Sequence, residues 1–223
     1  MSQQLTLGIR LRDDATYDNY YSGSNESVVH NLKTQEEPYV FLFGENGTGK
    51  SHLLQAACHQ VGAKGFPVVY LPLAEEGLMP AMLDGLESMS LIALDDIEHV
   101  IDNDDWELAL FNLYNRVREK GGSMIVSSSK PLASLNIKLA DLRSRLSWGP
   151  IFQLTVLEDK EKQFALQQRA KNRGLDLADD VVHYLLKRSP RDMNSLFALF
   201  EKLDKASMVE KRKLTIPFIK DYL

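Results

Sequence analysis

One glycine-rich turn constrains this chain more than any other stretch. Residues 44–51 read Gly44-Glu45-Asn46-Gly47-Thr48-Gly49-Lys50-Ser51, the spacing G-x-x-x-x-G-K-S. An apolar run, Tyr39-Val40-Phe41-Leu42-Phe43, comes before it, and a segment with Leu53, Leu54, Ala57, Cys58 and Val61 on one helical face comes after it. A strand entering and a helix leaving such a turn form a phosphate-binding loop. The glycines let the backbone curl so that several N–H groups converge, and the helix N-terminus adds positive potential for an anion. In this pattern Lys50 reaches the outer phosphates and Ser51 ligates Mg²⁺.

The 223 residues allow one large domain or one domain with a small appendage. A net charge of −5 argues against a dedicated nucleic-acid surface, although a local basic patch fits within it. A single cysteine, Cys58, excludes an internal disulfide and suits a reducing cytoplasm. It lies on the apolar face of the helix after the loop and reads as a small core residue. No apolar run approaches membrane-spanning length, and the N-terminus lacks the form of a secretion signal.

The first dozen residues stand apart. Gln4-Leu5-Thr6-Leu7-Gly8-Ile9 alternates ahead of a charged stretch and reads as an extended tail, either a docking peptide or else a disordered terminus or edge strand. A short helix is predicted from Asn25, as cap, to Leu32. Residues 67–71 predict a second strand, and 75–88 short helices interrupted by Pro80.

Leu91-Ile92-Ala93-Leu94 followed by Asp95-Asp96 predicts a buried parallel strand with two acids at its carboxyl end. Ligands bind at the carboxyl ends of parallel strands, so this pair meets the phosphate loop there. Asp95 is the candidate for holding Mg²⁺ through water, and Asp96 for polarising an attacking water. A helix over 104–120 and a strand over 123–127 follow. Beyond that strand, Ser128 and Ser129 read either as sensors of the outer phosphate or as turn formers. A helix over 139–147 carries Arg143 and Arg145, and a fifth strand covers 151–154. Alternating strands and helices around a phosphate loop predict an α/β fold with a parallel five-stranded sheet.

From residue 156 the pattern is helical only. Segments 158–172 and 178–187, one opened by Ser189-Pro190, and a last one from Thr215 predict a small all-helical lid. The expected division is a tail over 1–12, a nucleotide-binding domain over 13–155 and a lid over 156–223.

These features occur in the order found in AAA+ ATPases, and particular segments resemble the family related to the bacterial replication initiator DnaA. Arg143-Ser144-Arg145-Leu146-Ser147-Trp148-Gly149 is similar to that family's arginine-finger segment, Pro190-Arg191-Asp192-Met193-Asn194 to its second sensor, and Thr16-Tyr17-Asp18-Asn19-Tyr20 to its opening motif. The sequence stops where the initiator continues into a DNA-binding domain. Gln4 to Ile9 is similar to the peptide by which proteins dock on the sliding clamp, with Gly8 where proline is common. The whole resembles the short members of the family that inactivate DnaA.

That resemblance implies ADP or ATP with Mg²⁺, held by Gly44, Glu45, Asn46, Gly47, Thr48, Gly49, Lys50, Ser51 and His52, with Arg191 reaching over from the lid. It implies clamp contacts through Gln4, Leu5, Leu7 and Ile9. It assigns Arg145 to a finger acting in trans on ATP bound to DnaA, which leaves Asp96 to polarise water for the chain's own hydrolysis. The implied partners are DnaA and the DNA polymerase III sliding clamp, with DNA reached only through the clamp and no membrane. Self-association stays open, as do a helicase loader of the same family and an autonomous ATPase.

Overall fold

The computed structural model describes residues 11–188 and 193–222, with Asn194 by its backbone only. Five strands, β1 (Tyr39–Phe43), β2 (Val68–Pro72), β3 (Leu91–Asp95), β4 (Ser123–Ser128) and β5 (Ile151–Gln153), form one sheet in the order β2-β3-β4-β1-β5. Every pairing is parallel, as the sequence predicts. The three inner strands are apolar on both faces, which a parallel sheet covered on both sides requires.

Side-chain alternation divides the core in two. Val40 and Leu42 of β1, Ala93 of β3 and Ile125 of β4 face the helices α1 (Glu26–Thr34) and α2 (Lys50–Ala63). Phe41, Ile92, Leu94, Met124 and Val126 face the helices α3 (Asp104–Glu119) and α4 (Ala140–Leu146). A third core, centred on Phe200, Leu203 and Phe218, holds together α5 (Asp159–Asn172), α6 (Asp179–Arg188), α7 (Met193–Glu210) and α8 (Ile216–Lys220). This is the helical lid.

Helix ends follow local chemistry. Asn103 caps α3 by accepting the amides of Asp105 and Trp106 at 3.1 and 3.2 Å. Glu158 and Glu161 form a capping box at the start of α5. Asn25 differs from expectation: it precedes α1 but makes no capping bond. Its side chain instead accepts the amide of Thr155 at 2.9 Å and donates to the Thr155 carbonyl at 3.1 Å. Pro80 also differs, opening a short 3₁₀ turn over Pro80–Leu83 in place of interrupting a helix. The predicted cap Ser189 and Pro190 lie outside the described residues.

Gly149 shows how closely the chain approaches itself. A β-carbon there would lie 1.6 Å from the Tyr39 carbonyl oxygen, so only glycine lets the chain enter β5 beside β1.

Candidate nucleotide site

The register aligns the carboxyl ends of the inner strands: Phe43 of β1 pairs with Ser128 of β4, and Leu94 of β3 with Val126 of β4. The glycine-rich loop leaves β1 at this edge and turns directly into α2. Gly47 and Gly49 adopt positive φ of 85° and 92°. Gly49 is fixed twice over, because a β-carbon on it would lie 2.6 Å from the Tyr20 ring. Tyr20 crosses the loop and donates its hydroxyl to the Thr48 carbonyl at 3.2 Å. Lys50, 5% exposed, donates to the carbonyls of Gly44 and Glu45 at 2.9 and 3.3 Å, holding its ammonium within the curl. Among the described residues no side chain caps α2, so its first-turn amides keep their donor capacity for a ligand.

Above the loop lies a cavity of about 670 Å³, within the usual range for small-molecule sites. Its floor is the loop from Asn46 to Ser51 with His52 and Asp96. Tyr20 and Tyr21 wall one side, and Ala165, Arg169 and Phe197 close it from the lid. Tyr21 also stacks on Phe164 of α5 at 6.5 Å between ring centroids.

The two acids separate. Asp96 lines the cavity, with its backbone in the left-handed region at φ 57°. Burial, followed by the neighbouring charges of Asp95 and Glu98, raises its pKa, and Lys50 and His99 pull the other way. Asp95 is 1% exposed and is not part of the cavity wall. It accepts hydrogen bonds from Ser127 and from the Tyr70 hydroxyl, the latter at 2.7 Å. Burial, and then the charge of Asp95, pushes the Tyr70 hydroxyl pKa upward, so Tyr70 stays a donor. Ser51 and Asp96 are among the cavity residues that offer oxygens to a cation, whereas Asp95 lies outside the wall. Among the described residues no group of three or more His, Cys, Asp or Glu side chains stands ready to hold a metal. This donor set fits Mg²⁺ that keeps most of its shell from phosphate and water.

Neither Ser128 nor Ser129 is among the residues lining the cavity. Ser128 is fully buried, its hydroxyl accepting the Lys130 amide at 3.0 Å, and the Ser129 amide donates to Glu98 at 2.7 Å. Both act in the turn. Ser127, one residue earlier, organises the acids: its hydroxyl accepts the Asp96 amide at 2.9 Å and donates to Asp95.

His52 lines the cavity, but its Nε2 is held 2.7 Å from the Thr16 carbonyl and its ring tilts on Tyr20. Burial lowers its pKa, which favours the neutral ring donating to that carbonyl.

Arg145 is not among the residues lining the cavity. It sits on α4 with Nε 3.0 Å from the Asn115 side-chain oxygen and its guanidinium 4.0 Å from the centre of the Trp148 ring. Arg118 lies over the same ring at 4.4 Å. Arg143 instead ties the preceding loop, donating to the Leu135 and Ile137 carbonyls at 3.2 and 3.0 Å. Arg191, Gln4, Leu5, Leu7 and Ile9 lie outside the described residues.

The sequence reading missed Arg169. It lies in the buried stripe of α5 with Ala165, Leu166 and Ala170, and a charge inside an apolar stripe is the signal that marks it. Its guanidinium pairs with Asp14 and Glu201 and lies 4.6 Å from the Phe197 ring centre.

Among solved structures, domain III of the replication initiation protein DnaA from Thermotoga maritima is similar in fold (TM-score 0.77, 15% identity), with 95% of this chain and 96% of that one covered. So is AMPPCP-bound DnaA from Aquifex aeolicus (TM-score 0.73, 21% identity, 88% and 67% covered). The Thermotoga maritima RuvB Holliday junction branch migration motor shares the fold more loosely (TM-score 0.65, 16% identity, 90% and 66% covered). The family described as the bacterial DnaA ATPase domain matches residues 11–153, and that described as the Hda lid domain matches residues 159–223. Matched in its α/β core by one family and in its lid by the other, this chain belongs to the Hda/DnaA-related AAA+ ATPases.

Proposed function

We propose that this protein is a nucleotide-bound regulator of replication initiation that stimulates hydrolysis of ATP held by DnaA. The observation that carries the reading is the position of Arg145, half-buried on α4 and absent from the wall of the chain's own cavity. In this reading Arg145 serves a nucleotide on another molecule. There its guanidinium stabilises charge on the transferred phosphoryl group, an effect worth about 10³–10⁵ in rate.

In this reading ADP or ATP lies in the cavity. Lys50 and the loop amides hold the phosphates, with Arg191 reaching them from the lid. Ser51, and Asp95 through water, would hold Mg²⁺, which would neutralise phosphate charge. Asp96 orients water for any hydrolysis by the chain itself, so a weak intrinsic ATPase activity belongs to the proposal. Gln4, Leu5, Leu7 and Ile9 dock on the sliding clamp, tethering the protein near its target on DNA and raising its local concentration. The division follows: a docking tail over 1–12, a nucleotide domain over 13–155 and a lid over 156–223. Such a protein acts in the cytoplasm. Among the described residues no helix is long and apolar enough to cross a membrane.

The test is hydrolysis of DnaA-bound ATP in the presence of DNA-loaded clamp. Arg145→Ala is expected to abolish stimulation while nucleotide and clamp binding persist. Normal stimulation by that variant refutes the assignment. Normal clamp binding by a Leu5→Ala/Leu7→Ala variant refutes the tail assignment separately.

A further inference from the structure

The N-terminal segment that leads out of the tail runs as a strap between the helix that begins at the phosphate loop and the first lid helix. On one side it is fastened to α2. The Arg12 amide donates to Gln55 at 2.9 Å, the His59 ring donates to the Arg12 carbonyl at 2.9 Å, and His52 holds the Thr16 carbonyl. His52, Gln55 and His59 share one face of α2 at helical spacing. On the other side the strap is fastened to α5. Asp14 pairs with Arg169, the Asp18 carbonyl accepts from Gln168 at 3.4 Å, and Asn19 accepts from Asn172 at 3.0 Å.

Alternating charges continue this second fastening into the lid. Arg12 pairs with Asp14 at 3.1 Å, Asp14 with Arg169, and Arg169 with Glu201. Glu201 lies 3.5 Å from Arg173, which pairs with Asp204 at 2.9 Å. Positive and negative groups balance along this line. At its centre Arg169 is only 4% exposed, lines the cavity, and has a buried Nε with no hydrogen-bond partner. A buried guanidinium divided between two carboxylates is sensitive to a further anion. A phosphate entering the cavity competes for its donors and repels Asp14 and Glu201.

We infer that Arg169 is a positioning residue of the nucleotide cavity that acts through Asp14, coupling cavity occupancy to the order of the strap over residues 11–20. The inference rests on the nucleotide reading of the cavity and adds a regulatory role to it. Residues 1–10 lead into the strap in sequence, so a ligand of the tail that changes the order of residues 11–20 is linked to a ligand of the cavity. Linkage requires the coupling to be reciprocal: a partner that orders the tail changes nucleotide affinity by the factor by which nucleotide changes affinity for that partner.

The experiment uses the full chain and ADP, followed by amide hydrogen exchange over residues 11–20 and by dissociation of a fluorescent N-methylanthraniloyl-ADP. In the wild type, ADP is expected to change exchange in the strap. In Asp14→Asn, which removes the charge that competes with phosphate for Arg169 and lies outside the cavity wall, that change is lost and the fluorescent nucleotide leaves roughly tenfold more slowly. Asp14→Glu keeps the charge and is expected to keep the response. An ADP response in Asp14→Asn equal to that of the wild type overturns the coupling. So does a wild-type chain that binds ADP with no change in the strap, a result that needs no variant. A wild-type chain that takes up neither ADP nor ATP overturns the nucleotide reading itself, and is distinguished by the absence of any fluorescent binding signal.

Discussion

The hydroxyl of Ser127 donates to Asp95 across the β3–β4 pair while accepting the amide of Asp96 at 2.9 Å. One side chain thus sets both the buried acid and the backbone that aims its neighbour into the cavity. Ser127→Ala leaves a buried carboxylate and an amide each short of a partner. The expected loss is about 1–3 kcal/mol in unfolding free energy, read by urea denaturation. The same variant is expected to weaken nucleotide binding more with Mg²⁺ than without it, read by titration under both conditions.

Gly149 lies against the Tyr39 carbonyl, so Gly149→Ala forces β1 and β5 apart or shifts the chain after Trp148. Backbone has less room to adjust than a side-chain tip. The expected cost is about 2–3 kcal/mol, the upper end of overpacking, with a matching fall in melting temperature. A variant that melts with the wild type contradicts this.

Glu107, 1% exposed on α3, accepts the amides of Asp102 and Lys138 at 3.1 and 3.2 Å and that of Leu139 at 2.7 Å. Leu139 immediately precedes α4, where no local side chain serves as cap. Glu107→Ala is expected to cost about 3 kcal/mol, because three part-buried amides lose the carboxylate they share. If the proposed function holds, stimulation of DnaA's hydrolysis is expected to fall with it, because the helix carrying Arg145 loses its anchor. Denaturation and the DnaA assay check the two effects.

His52 has a pKa below the ordinary histidine value, chiefly because it is buried. The unfolded chain therefore binds the proton more readily than the folded one, and stability rises with pH through this window. Full stability from this group is expected above about pH 6.5, with progressive loss below it. His52→Gln should flatten that part of the profile, measured as melting temperature against pH.

Much of this architecture was legible in the sequence. Short apolar runs gave all five strands because buried parallel strands need apolar residues on both faces. The phosphate loop was legible because its chemistry is written in adjacent residues. Strand order was not, since it depends on which buried faces match. Asn25 was misread for a related reason: a cap is a local inference, and its partner Thr155 lies far along the chain. Ser128 and Ser129 stood out as polar residues at a strand end, but only the three-dimensional register reveals that Ser127 meets the acids. Arg169 was missed because the purpose of a charge inside the α5 stripe shows only once its carboxylate partners from the strap and α7 are in view.

Trp148 gives this surface a built-in optical probe. It is 39% exposed, whereas the other tryptophan, Trp106, is 8% exposed. The guanidiniums of Arg118 and Arg145 both lie over the Trp148 indole. If Arg145 leaves the ring to meet another molecule, the electric field at that indole changes. Its emission then shifts while the Trp106 signal stays constant, so an unlabelled sample reports whether the arginine is at rest or engaged.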